Sequence, residues 1–301
     1  MGSTGSVSLM TLSCDPRFAG QPDTPPPEIC EFCGSERYTE GTVIPIGPGK
    51  VRWNQEGPRP CTCPEGQAQH DRAIAEKKSQ ETAQVKADSD ARMREKVSRI
   101  IGESGMGERS LRCTFETFRV VTPSQDTAKR AALRFAEGFD QLLPQRGEPL
   151  PRYNSLFISG TKGTGKTHLA AAIANELLSK GTPVICMSER ELLGRIRRTF
   201  SGIGGDESSI LALYKSVPLL ILDDLGKERA TEWTISTIYD IIGGRYDQAM
   251  PFIVTTNYDP GSLALRLTPK GDDGITAECI IDRITEVCKV VIMTGPSWRS
   301  V

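Results

Sequence analysis

The sequence predicts an α/β fold: a five-stranded parallel sheet covered by helices, preceded by a small metal-binding module and a charged helix. Three observations carry this expectation. From about Leu111 onward, apolar runs alternate with helical patterns, and strands buried on both faces lack the polar alternation of a half-exposed sheet. A glycine-rich segment joins the first apolar run to a helix. Four cysteines lie in two close pairs between residues 29 and 66, among turns and little apolar mass.

Taken in order, residues 1–28 are rich in Ser, Gly and Pro and end in Pro25-Pro26-Pro27, so a disordered or extended segment is expected. Residues 29–70 form the expected zinc-binding module. Residues 71–110 are read as a charged helix and linker. Met93, Val97 and Ile100 give the helix a thin apolar stripe, and Gly102–Gly107 is the linker. The remaining domain covers 111–301. Its strands are expected at Ser155–Ser159, Pro183–Met187, Pro218–Leu222, Phe252–Thr255 and Val290–Met293. Helices are expected at Thr127–Leu143 and between successive strands, with Gly181 as a helix stop.

The chain has 301 residues and a formal net charge of −1, so any surface for a polyanion must be local. No run of apolar residues is long enough to cross a bilayer. The N-terminus lacks the basic start and apolar core of a signal peptide, which points to the cytoplasm and to reduced thiols. The nine cysteines are then metal ligands, core fillers or incidental. Cys30-x2-Cys33 and Cys61-x-Cys63 can close a tetrahedral Zn2+ site. The C-x-C pair is tighter than the usual spacing, and His70 is a substitute ligand. Cys14, Cys113, Cys186, Cys279 and Cys288 are read as buried or incidental.

Gly160-Thr161-Lys162-Gly163-Thr164-Gly165-Lys166-Thr167 fits the P-loop pattern at every fixed position. It follows the apolar run Leu156-Phe157-Ile158 and opens a helix. Backbone N–H groups around Gly160, Gly163, Thr164 and Gly165 would converge on phosphate oxygens at the helix N-terminus. Lys166 would reach the β- and γ-phosphates of ATP, and the Thr167 hydroxyl would hold Mg2+. His168 borders the nucleotide, although an ordinary helix-surface position also accounts for it. Leu219-Leu220-Ile221-Leu222 ends in Asp223 and Asp224. At a strand's C-terminal end both acids can turn toward the ligand crevice. Asp223 would help hold Mg2+, and Asp224 would act as general base or orient the attacking water. Asn257, after the fourth strand, would touch the γ-phosphate or that water. Arg283 is the candidate for a guanidinium donated to a neighbouring subunit's nucleotide, and Arg299 for one acting in cis. Arg266 and Arg245 are rivals for either role.

These stretches, with Cys113–Phe118 and Gly295–Arg299, resemble in order the DnaC/DnaI-type replicative helicase loaders of the AAA+ superfamily and the related IstB-type transposition ATPases. The resemblance runs from about Leu111 to Arg299. It implies an AAA+ fold, ATP-dependent self-association, and an N-terminal region that docks on a hexameric replicative helicase and helps place it on single-stranded DNA. It assigns phosphate and Mg2+ binding to Lys166 and Thr167. It makes Asp223 and Asp224 the Walker B acids, Asn257 sensor 1 and Arg283 the arginine finger. Many AAA+ ATPases carry Glu where this chain has Asp224, so slow hydrolysis is expected. The resemblance also draws attention to a helix within Ser188–Ser201. There Arg195, Arg197 and Arg198 are candidates for DNA phosphates and Phe200 for stacking on a base; the alternative is a solvated helix end with Phe200 in the core. A transposition helper ATPase, and a helicase-binding adaptor or inhibitor with little turnover, are the alternative functions.

Overall fold

The structure, a computed structural model, describes residues 9–17, 24–47, 50–102, 105–145, 147–200 and 206–298. The chain divides into two compact units, Met1–Lys86 and Ala87–Val301. The division falls inside the charged helix, between the boundaries expected at residues 70 and 110.

In the first unit, β1 (Leu9–Leu12), β4 (Thr39–Gly47) and β5 (Lys50–Pro58) form an antiparallel sheet in the order β1-β4-β5. β2 (Glu28–Ile29) and β3 (Glu36–Arg37) form a separate short ribbon. Within residues 1–28, expected to be disordered or extended, β1 is an extended strand: Leu9 to Leu12 pair with Val43 to Glu40. Pairing of this kind uses main-chain groups on a strand distant in sequence, so local composition does not report it. Residues 1–8 and 18–23 lie outside the described residues. Among the described residues of this unit, the buried apolar side chains are Val43 and Trp53 with Cys30 and Cys61. Helix α1 (Pro64–Ile101) starts earlier than expected. Pro64 supplies a preset φ at the first helical position, where its missing N–H costs nothing.

The second unit contains the C-terminal part of α1, followed by α2 (Glu108–Leu111), α3 (Pro123–Glu137), α4 (Phe139–Leu142), β6 (Ser155–Gly160), α5 (Lys166–Ser179) and β7 (Val184–Ser188). The rest is α6 (Glu189–Thr199), α7 (Glu207–Ser216), β8 (Leu219–Asp223), α8 (Glu232–Asp247), β9 (Phe252–Thr256), α9 (Pro260–Leu267), α10 (Ile275–Val287) and β10 (Cys288–Met293). All five expected strands are present, each within two residues of its expected bounds. They form a parallel sheet in the order β10-β6-β9-β8-β7.

Successive side chains of a strand face opposite sides of the sheet, and the core divides accordingly. Phe157, Ile185, Leu220, Leu222 and Val254 pack with Leu192, Ile196, Leu213, Ile238, Ile241 and Ile280 of α6, α7, α8 and α10. Val97 of α1 joins this cluster. Leu156, Ile158, Val184, Leu219, Ile221 and Ile253 pack on the other side with Ala132, Phe135, Leu169 and Ile173 of α3 and α5. Because β9 lies between β6 and β8, the loop after β6, the acids ending β8 and the polar residues ending β9 open on the same edge.

Candidate nucleotide site

The loop from Gly160 to Thr167 joins β6 to α5, whose N-cap is Gly165 in a left-handed conformation (φ 98°). Glycine is required at two places by close approach. A Cβ on Gly160 would lie 1.9 Å from the Met293 carbonyl oxygen, and one on Gly163 would lie 2.1 Å from Ser297 Oγ. Both also have positive φ, 143° and 82°. The loop is held from outside. Gln125 Nε2 donates to the Thr164 carbonyl at 3.2 Å. The Trp298 N–H donates to the Gly163 carbonyl at 3.0 Å. Lys166 is almost fully buried; its Nζ donates to the Gly160 and Thr161 carbonyls at 2.8 and 2.9 Å and to Asn257 Oδ1 at 2.9 Å. Lys166 and Asn257, each expected at the γ-phosphate, are therefore in direct contact.

The acids meet the loop from β8. Thr167 Oγ1 lies 3.0 and 3.1 Å from the two carboxylate oxygens of Asp223. Thr255 Oγ1 donates to Asp223 Oδ1 at 2.6 Å and accepts the Asp224 N–H at 2.9 Å. Burial pushes the Asp223 carboxyl above its ordinary range and the neighbouring Asp224 charge adds to this, while hydrogen bonds from Thr255 and Thr167 pull it back. Asp224 adopts φ 58°, a left-handed conformation that Asp tolerates better than most residues. That turn brings both successive acids to the crevice. Asp224 Oδ2 pairs with Lys227 Nζ at 3.0 Å.

Around these groups lies a cleft of about 360 Å3 whose walls include Phe118, Gly163, Lys166, Asp224, Asn257 and Trp298. Phe118 and Trp298 stack with centroids 5.8 Å apart. His168 lines the cleft too, but its Nε2 is engaged with the Thr114 carbonyl at 3.0 Å and Thr117 Oγ1 at 3.1 Å. It ties the segment before α3 onto α5. Arg299 lies outside the described residues.

A family model described as IstB-like ATP binding protein matches residues 80–301 of this sequence. The chain belongs to that family. The replicative helicase loader DnaC of Escherichia coli (strain K12) is 31% identical over 162 residues, which span 54% of this chain and 62% of the relative. The loader DnaC of Buchnera aphidicola subsp. Schizaphis graminum (strain Sg) is 28% identical over 190 residues, 63% of this chain and 70% of the relative. Among solved structures, the DnaC helicase loader matches with a TM-score of 0.51 at 25% identity, covering 62% of this chain and 100% of that one. DnaI matches with a TM-score of 0.51 at 29% identity, covering 64% and 93%. The AAA+ fold expected from the sequence is the fold observed.

Within this IstB-like domain the candidate arginines occupy different surroundings. Arg283 on α10 lies over the Tyr239 ring at 4.5 Å and the Tyr246 ring at 5.8 Å, and donates to Tyr239 Oη at 3.2 Å. It is absent from the walls of its own chain's cleft. Arg266 Nε donates to the Gly226 carbonyl at 2.9 Å. Arg245 is fully buried, with its guanidinium on the carbonyls of Tyr214 at 2.7 Å, Val217 at 2.9 Å, Pro218 at 3.3 Å and Pro251. The Arg245 guanidinium is a structural tie and has no access to a neighbour's nucleotide.

The helix expected within Ser188–Ser201 is α6. Ser188 and Glu191 form a reciprocal capping box at its start. Leu192, Leu193 and Ile196 enter the core, while Arg197, Arg198 and Phe200 are exposed and Arg195 is half-buried. Phe200 is 57% exposed, which removes the alternative that it packs in the core. Arg197 lies 4.6 Å above the Trp233 ring, and Phe200 meets the same ring edge-on at 5.8 Å. Trp233 was not singled out from the sequence, because a lone aromatic at a helix start carries no signal of its own. Glu189 was missed for a related reason: it reads as an ordinary acid at a helix N-terminus. It is 3% exposed, and its Oε2 accepts the N–H groups of Gly226, Lys227 and Glu228 at 3.0, 3.1 and 3.2 Å. Burial pushes its carboxyl up, against the pull of those three donors.

In the first unit, the Sγ atoms of Cys30, Cys33, Cys61 and Cys63 all lie within 4.8 Å of one another. Cys33 and Cys61 are 3.3 Å apart and Cys30 and Cys63 3.8 Å. A tetrahedral ion with Zn–S bonds of about 2.3 Å separates its sulfurs by about 3.8 Å, so the four thiols fit the group. The Gly66 N–H donates to Cys63 Sγ at 3.3 Å, and a Cβ on Gly66 would lie 2.8 Å from Cys61 Cβ. His70 is outside the cluster. Among the described residues, no helix is long and apolar enough to cross a membrane.

Proposed function

We propose that this chain is an ATP-hydrolysing helicase loader: it binds a hexameric replicative helicase and helps place it on single-stranded DNA. The observation that carries the reading is the convergence of Lys166, the Thr167–Asp223 pair, Asp224 and Asn257 on one cleft. Lys166 and the loop N–H groups would take the β- and γ-phosphates. Thr167 and Asp223 present the oxygen donors that a hard cation such as Mg2+ accepts. Asp224 would orient or deprotonate the attacking water, and Asn257 would sense the γ-phosphate. Arg283, which does not line its own chain's cleft, would complete the site of an adjacent copy and couple ATP to self-association. Arg195, Arg197, Arg198 and Phe200, joined by Trp233, would hold DNA phosphates and stack on a base. Cys30, Cys33, Cys61 and Cys63 would hold a structural Zn2+ that supplies folding free energy to a unit with a small core.

Association of the full chain with a purified hexameric replicative helicase, measured with and without ATP, tests the reading. Nucleotide-dependent association, lost in Lys166→Ala, is expected; no association in any nucleotide state would reject a loader. The family match supports a second reading, an ATPase that assists a transposase on duplex DNA. A preference for duplex over single-stranded DNA, together with indifference to the helicase, would favour it.

A further inference from the structure

We propose that Lys227 is a positioning residue that restrains Asp224, and that Glu189 sets it in place. The inference rests on the reading of Asp224 as the acid that activates water. In that step the water oxygen bonds to the γ-phosphorus, the bond to the ADP oxygen breaks, and the water's proton passes to the carboxylate. An ammonium bound to that carboxylate occupies one of its oxygens and limits its freedom to turn toward the water.

The geometry supplies such an ammonium. Lys227 Nζ lies 3.0 Å from Asp224 Oδ2, and both residues border the nucleotide cleft. The Lys227 side chain is 70% exposed, so solvent competes for it and the pair alone is weak. Its backbone, by contrast, is fixed. One buried oxygen of Glu189 holds three successive N–H groups, from Gly226 to Glu228. On the other side Arg266 Nε holds the Gly226 carbonyl at 2.9 Å. Asp224 is fixed in turn by its N–H bond to Thr255. Both ends of the ion pair therefore grow from constrained backbone, which fixes the separation across which the two side chains meet. Glu189 is the first residue of α6, so the restraint is seated on the helix that carries Arg195, Arg197 and Arg198.

Steady-state phosphate release by the full chain at saturating Mg-ATP, with KM and nucleotide Kd measured in parallel, tests the inference. Lys227→Ala is expected to raise kcat roughly two- to five-fold, the range open to a partly exposed ion pair, with KM and Kd unchanged. Lys227→Arg keeps a cation and should keep the parent rate. Glu189→Gln retains an acceptor for the three N–H groups and should resemble the parent. Glu189→Ala should raise kcat as Lys227→Ala does, and the double variant should go no higher. If Glu189→Ala fails to fold, the two Lys227 variants decide. An unchanged or lower kcat in Lys227→Ala, while Asp224→Asn is inactive, overturns the restraint alone. Turnover that survives in Asp224→Asn, or no turnover in the parent chain, overturns the underlying assignment instead.

Discussion

Arg245 carries a charge into the core and meets four carbonyls there, at the ends of α7 and the starts of β8 and β9. Burial alone pushes its pKa down to about 9, still high enough to keep it charged at neutral pH. Arg245→Met fills part of the volume but strands those carbonyls without donors. A loss of about 3 kcal/mol is expected, read as a lower denaturant midpoint, with nucleotide affinity intact in the folded fraction. Thr255 illustrates the opposite balance. Thr255→Val keeps the shape and removes one hydroxyl that serves both acids. Stability should fall by about 1 kcal/mol, because the Asp224 N–H loses its acceptor, whereas Mg2+-dependent nucleotide affinity should fall several-fold by isothermal titration. Lys166, Thr167, Asp223, Asp224 and Asn257 were legible in the sequence because P-loop chemistry fixes residue types at fixed spacings. Arg245 was misjudged as a possible finger because an arginine's burial depends on helices packed around it, which no local pattern records. Thr255 sat in view beside Asn257, but its role exists only once β9 lies next to β8.

Elements followed the same logic. The five buried strands announced themselves as apolar runs because both their faces are covered. The first unit's strands did not: β4 and β5 carry Gly, Pro and charge, and among their described side chains the buried apolar ones are Val43 and Trp53. At α6 the sequence showed a basic end, and the structure adds that its apolar face is anchored while Arg197 and Phe200 remain outside around Trp233. If that surface holds single-stranded DNA, binding will be salt-sensitive. Arg198→Ala should reduce the slope of log K against log salt by about 0.7, the value for one phosphate contact on a single strand. Trp233→Ala should instead weaken binding with little change in slope, since stacking releases no counterions.

At the scale of the molecule, the two compact units imply separable unfolding. Zinc chelation is expected to melt the first unit, read by loss of the Trp53 environment, while ATP affinity of the second is preserved. Arg283→Ala should leave that affinity unchanged but abolish ATP-dependent self-association by analytical ultracentrifugation; wild-type assembly would remove the residue from the interface role. The chain holds three tryptophans, and each stands at a different station: Trp53 in the first unit's core, Trp233 beside the basic helix end, Trp298 against Phe118 above the phosphate loop. The protein thereby carries its own optical gauges. Replacing any two indoles with phenylalanine leaves a single emitter, so intrinsic fluorescence can test the proposed metal loading, strand capture and nucleotide arrival separately, without an attached dye.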